Sequence, residues 1–129
     1  MKILIIGDNP SVTGGVCNYT RPLFEMLSRD NDIVYLYSSS RVNPEYDFSF
    51  KTRIIKEEKN VFKIINSVNL TKNYHNLDID IASERNDNVF EEFIKKNKFD
   101  VMHVHEIIGF SSNIINIAKK FKIKTYVTV

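Results

Sequence analysis

Residues 2–6, Lys-Ile-Leu-Ile-Ile, form a continuous apolar run closed by Gly7. An unbroken run of that length suits a strand covered on both faces, as in a parallel sheet. Beyond the turn, apolar residues fall at Val16, Tyr19, Leu23, Met26 and Leu27. That spacing predicts a helix from Gly14, capped by Ser11 or Thr13 and disturbed by Pro22 through a kink or a loose first turn. Tyr19 lies on the stripe and is assigned to the core. Residues 32–39 predict a second strand, 40–50 a loop, and the surroundings of Ile54 and Ile55 a weak third strand. Val61, Phe62, Ile64, Ile65 and Val68 mark a short helix. Residues 77–82 alternate strictly and predict a half-exposed strand, within an Asn-rich stretch (66–88) where mobility is expected.

The last third is more regular. Asn88 and Glu91 form a capping pair for a helix whose stripe is Val89, Phe90, Phe93 and Ile94. Residues 101–105 predict a strand, 109–121 a helix capped by Ser111 or Ser112, and 123–129 a final strand. This alternation predicts the α/β class: a Rossmann-like doubly wound, mainly parallel sheet with helices on both faces. Right-handed crossovers put strand 2–6 at the centre, strand 32–39 on one side, and strands 101–105 and 123–129 on the other. Ligands in such sheets bind beyond the carboxyl ends of the strands. The loop from Gly7 to Gly15 and the end of the 101–106 segment converge there.

Composition narrows the classes. The 129 residues fit one domain, and 43% apolar content supports a core. Net charge is 18 − 16 = +2, which leaves no electrostatic footprint for nucleic acid. The pairs Lys95–Lys96 and Lys119–Lys120 read as solvated helix faces. A single cysteine, Cys17, excludes an internal disulfide and is read as a packing residue. The amino-terminal apolar run is too short for a signal peptide, and no stretch approaches the ~18–20 apolar residues of a membrane span. The expected setting is cytoplasmic. The sequons at Asn18 and Asn69 then read as chance matches.

The glycine pair Gly14–Gly15 carries the first candidate chemistry. No lysine follows Gly15, so the segment is not a Walker loop, and Gly7 stands too far from Gly14 for a dinucleotide fingerprint. Without Cβ atoms, the backbone around Gly14, Gly15 and Val16 can approach an anion at a helix N-terminus. The alternative is that the pair merely relieves a left-handed turn, and the residues alone leave both open. His103 and His105 are assigned to opposite faces of their strand, so they are not expected to share a metal. His103 is read as packed. Nothing forms a nucleophile, base and orienter set.

The order "MKILIIGD…TGGV…Y…LFEMLSR", "IVYLYS" and "FDVMHVHEIIGFSSNIINIAKKFKIKTYVTV" resembles the N-terminal half of a GT-B-fold retaining glycosyltransferase of family 4, the "glycosyl transferases group 1" type. Both ends of the chain carry the resemblance; residues 42–86 match only in layout. It implies that residues 1–129 are the acceptor-side domain of a two-domain enzyme whose donor-binding domain is not in this chain. It implies transfer from a nucleotide diphosphate sugar to a glycan or lipid-linked acceptor with retained configuration. No metal or other cofactor is implied, and the full-length enzyme is expected at the inner face of a membrane. Gly14, Gly15 and Val16 would meet the donor phosphate. Asn18, His105 and Glu106 would line the acceptor side, Glu106 by bonding a sugar hydroxyl. Arg21 is weighed as a contact for an acidic acceptor against a solvated helix face. The family's donor-sugar histidine would follow Val129, so the isolated chain is expected to be inactive. Two rivals stand beside this reading: a flavodoxin- or receiver-like binding module, and a non-catalytic subunit of a split glycosyltransferase.

Overall fold

The computed structural model describes residues 1–38, 52–66 and 83–128, apart from the Asn66 side chain. The elements among them run β1 (Lys2–Gly7), α1 (Gly15–Leu27), β2 (Asp32–Ser38), β3 (Thr52–Glu58), β4 (Val61–Asn66), α2 (Glu84–Asn97), β5 (Val101–Val104), α3 (Ile114–Lys120) and β6 (Lys124–Val127). The strands form one sheet in the order β3-β4-β2-β1-β5-β6. All neighbours are parallel except the β3–β4 hairpin. The fold is therefore α/β with a mostly parallel sheet, and β1 lies inside it between β2 and β5, as the apolar run predicts. The expected strand at 77–82, the loop at 40–50, Val68 and the mobility of residues 67–82 lie outside the described residues.

Alternate residues of the central strands enter two cores. Leu4, Ile6, Val34, Leu36, Ile64, Met102 and Val104 pack under α2 and α3 with Phe90, Phe93, Ile94, Phe110, Ile114 and Ile117. Ile3, Ile5, Ile33, Tyr35 and Tyr37 form the second cluster, joined by Phe24 and Leu27 of α1. Both faces of β1 are thereby removed from water, which is why its sequence shows no alternation.

Several local expectations are corrected. Val61–Asn66 is a strand, not a helix. Its apolar pairs are too short a pattern to separate the two periods. Asn60 sits at φ 65°, the left-handed geometry that reverses the chain between β3 and β4. The buried face of α1 carries Cys17 and Thr20, whereas Tyr19 and Met26 are exposed. Small residues are needed there because the helix lies close over Tyr35. No side chain caps α1, whose N-cap is Gly14. Pro22 lies within one helix, Gly15–Leu27. The α2 helix begins five residues earlier than the Asn88–Glu91 pair suggests, because the Ser83 side chain accepts from the Asn86 amide and caps it. The last helix is shorter than 109–121: Gly109 takes φ 80°, and Ser111 is buried accepting from the Asn113 amide, so helix geometry starts at Ile114.

Candidate functional site

The site begins at the carboxyl end of β1, where Gly7 leads into the loop 8–14. Buried Tyr35 on the neighbouring β2 points at that loop, and its hydroxyl donates to the Asp8 carbonyl at 2.7 Å. With its one proton committed there, it receives the Thr20 hydroxyl of α1, 3.2 Å away. Burial above all pushes the Tyr35 phenol up to about 12, so it holds its proton. A Cβ at Gly7 would overlap the same hydroxyl and lie 3.2 Å from the ring carbon that bears it. Gly7 is thus required by close approach.

The rest of the loop is held by its own turns and by α1. The Asn9 side chain accepts from the Ser11 amide at 2.9 Å, and the Val12 amide bonds the Asn9 carbonyl at 3.2 Å. The Cys17 thiol donates to the Asn9 carbonyl at 3.3 Å. Burial, then the carboxylates of Asp8 and Glu106, push that thiol's pKa up, so it is a packing group and a weak donor. Arg21 reaches back with Nη2 to the Pro10 carbonyl and, at 3.4 Å, to the Val12 carbonyl. Arg21 is exposed on α1, as the solvated-face alternative has it, and is at the same time bonded to the loop. Its guanidinium fastens the loop.

At the loop's end the glycine pair reads differently from one of its two expectations. Gly14 has φ 179°, an extended conformation open to any residue, and neither Gly14 nor Gly15 falls among the positive-φ glycines. The left-handed-turn alternative is therefore excluded. A Cβ added to either glycine meets nothing within 4 Å. The pair fronts open space at the start of α1, where first-turn amides lie beyond the reach of intrahelical bonding. Val16 is half-buried. Asn18 is exposed, and its amide closes the first helical bond to the Gly14 carbonyl at 2.8 Å.

The other wall comes from β5. The His105 amide bonds the Ile6 carbonyl at 2.8 Å, which carries the β5–β1 ladder one residue past the strand. His105 and Glu106 therefore emerge beside Gly7 and Asp8. His103 and His105 share a face, with ring centroids 4.1 Å apart, which corrects the opposite-face assignment. The pleat has a period of two, so residues i and i+2 point the same way. His103 is half-buried, and its Nε2 lies 3.0 Å from the Thr128 hydroxyl. Among the described residues no group of three or more potential ligands gathers to hold a metal ion.

Burial, then the neighbouring His103, pushes the His105 pKa down to about 4, so its imidazole is uncharged at neutral pH. Its Nε2 is buried without a hydrogen-bond partner. Tyr19, expected in the core, is 54% exposed and stands edge-on to the His105 ring at 5.4 Å. Glu106 is half-buried beside it. The fold thus brings together Gly14, Gly15, His105, Glu106 and Asp8 at one edge. Sequence reasoning missed the supports Tyr35 and Thr20 and weighed Arg21 only for other roles. A signal exists only for Thr20, a polar residue on the helix face that packs on the sheet.

The domain is of the open α/β type whose ligands bind at the carboxyl edge of the strands. Two crystal structures of the C-terminal domain of a hydrogenase from Pyrococcus furiosus share this fold. Each has a TM-score of 0.58 and covers 90% of the solved chain, at 18% identity over 99% of this chain in one and 17% over 98% in the other. That likeness shows the fold alone. Neither a protein-family model nor a curated protein matches the chain. Among the described residues no helix is long and apolar enough to cross a membrane.

Proposed function

We propose that this chain is the acceptor-side domain of a retaining, nucleotide-sugar-dependent glycosyltransferase. The observation that carries the reading is the open glycine pair: Gly14 and Gly15 have no conformational need to be glycine, yet a Cβ on either would project into empty space. Leaving that corner bare is useful if a phosphate from a facing domain must touch the amides. His105 and Glu106 stand at the same edge, on the side assigned to the acceptor.

The chemistry here is positioning. The first-turn amides of α1 stabilise a leaving diphosphate, and Glu106 and His105 orient the acceptor hydroxyl. The donor site belongs to a second domain facing this one, so the 129 residues alone are expected to bind donor weakly and not to turn over.

The test is an amide-resolved titration of the chain with UDP-glucose and with inorganic pyrophosphate at millimolar concentration. Shifts confined to Gly14–Asn18 and 105–106 support the reading. Shifts elsewhere, or tight binding of flavin mononucleotide or beryllofluoride at the same edge, overturn it in favour of a flavodoxin- or receiver-like module.

A further inference from the structure

We infer that the cavity between α1 and β4 is a second ligand site, for a free α-amino acid with an apolar side chain, held by Arg21 at its carboxylate and by Glu25 and Glu58 at its ammonium. The site lies apart from the glycine corner and His105 and does not depend on the sugar-transfer reading.

The helix separates the two sites. On one flank of α1, Tyr19 meets His105 at the end of β5. On the other, Arg21, Phe24 and Glu25 line a cavity of about 220 Å³ together with Tyr35 of β2 and Val61 of β4. Strands β2 and β1 stand between β4 and β5 in the sheet. Pockets for drug-sized ligands run to ~300–1,000 Å³, so this one suits a molecule the size of a single amino acid.

Its lining matches both halves of such a molecule. The Phe24 ring stands edge-on to Tyr35 at 6.1 Å, and Val61 completes an apolar surface for a side chain. The charges are of both signs and stay apart. Arg21 and Glu25 are one helical turn from each other, a spacing at which opposite charges can pair, yet among the described residues neither they nor Glu58 form an ion pair. Arg21 instead turns Nη2 to the Pro10 and Val12 carbonyls, which leaves further N–H groups of the guanidinium for a carboxylate. An α-amino acid carries both charges on one carbon and bridges that gap. A lone anion would face two carboxylates there, and a lone cation would face a guanidinium. Pro10 and Arg21 are respectively part of the 8–14 loop and its fastener, so an occupied cavity stiffens the segment that leads to Gly14.

The experiment titrates the full chain with L-phenylalanine, with phenethylamine, which lacks the carboxylate, and with hydrocinnamate, which lacks the ammonium, and follows the backbone amides. L-Phenylalanine is expected to shift Ser11, Arg21, Phe24, Glu25, Glu58 and Val61, to slow amide exchange across residues 9–13, and to bind about tenfold more tightly than either one-charge probe. Arg21→Met should remove its advantage over phenethylamine, and the double variant Glu25→Gln with Glu58→Gln its advantage over hydrocinnamate. Equal or tighter binding of either one-charge probe at those amides overturns the inference and leaves an apolar cleft. So do advantages that persist in the variants, or amides that millimolar L-phenylalanine leaves unmoved.

Discussion

The Tyr35 hydroxyl donates to the Asp8 carbonyl at 2.7 Å, which ties the middle of β2 to the first residue beyond β1. A buried phenol is thus one of the ties between the candidate edge and the core. Tyr35→Phe leaves the Asp8 carbonyl and the Thr20 hydroxyl without that partner, so stability should fall by about 1–3 kcal/mol. Urea unfolding measures it, and amide exchange of residues 8–12 should rise more than that of β1.

Gly7 is coupled to the same group. Gly7→Ala places a methyl against the Tyr35 hydroxyl and should cost about 1–3 kcal/mol by overpacking. In the double variant Gly7→Ala with Tyr35→Phe, the colliding oxygen is gone. The two effects should then be non-additive by at least about 0.5 kcal/mol, the double variant being more stable than the sum predicts. Additive losses would mean that the clash is relieved elsewhere.

Gly15→Val is the opposite case. The added Cβ meets nothing within 4 Å and the backbone has no positive-φ demand, so the unfolding midpoint should stay close to that of the parent. The pyrophosphate-induced shifts at Gly14–Asn18 should disappear. An unaltered anion response would show that the open corner does not serve a phosphate.

How far the sequence foretold this arrangement depends on the range of the interactions. The strand at Ile3–Ile6 and the helix around Phe90, Phe93 and Ile94 were legible because burial repeats with one period over enough residues. The start of α1 at the glycine pair was legible because Gly and Pro punctuate. The reading failed where a contact between distant residues decides the outcome. Thr20 and Cys17 look polar or neutral on a helical wheel, yet they form the buried face because Tyr35, 15 residues beyond Thr20, needs a small, hydrogen-bonding neighbour. Tyr19 was taken for core by its period and is displaced to the mouth, edge-on to His105. The strand at Val61–Asn66 was hidden because its paired apolar residues are too few to separate a strand period from a helical one. The shared face of His103 and His105 follows from the strand period of two alone.

Arg21 offers a test of the loop's fastening. Its Nη2 bonds two carbonyls of the loop, Pro10 and Val12, from the end of a side chain that is longer and less strongly hydrated than a lysine's. Arg21→Lys and Arg21→Met should both quicken amide exchange across residues 9–13 while leaving the exchange of β1 and β2 unchanged. Exchange that stays unchanged across residues 9–13 in both variants would show that the guanidinium does not hold the loop.

The two imidazoles make stability depend on pH with a definite sign. The folded chain holds His105 at about 4, against 6.5 for the free side chain, through burial and then the neighbouring His103; burial lowers His103 as well. The unfolded chain therefore binds more protons than the folded one as pH drops below 6.5, and stability falls with it. The histidine contribution is fully present above about 6.5 and is lost progressively as pH falls toward about 4. Glu91, lowered by the side chains of Lys120 and Lys95, titrates below its ordinary 4.5 and so acts only under more acidic conditions. Urea midpoints measured between pH 7 and 5 should decline, and His105→Gln should flatten most of that decline while His103→Gln flattens less. A midpoint that is level across this range would mean that the pair is solvated in the folded chain, and the neutral imidazole assigned to orient the acceptor hydroxyl would be lost.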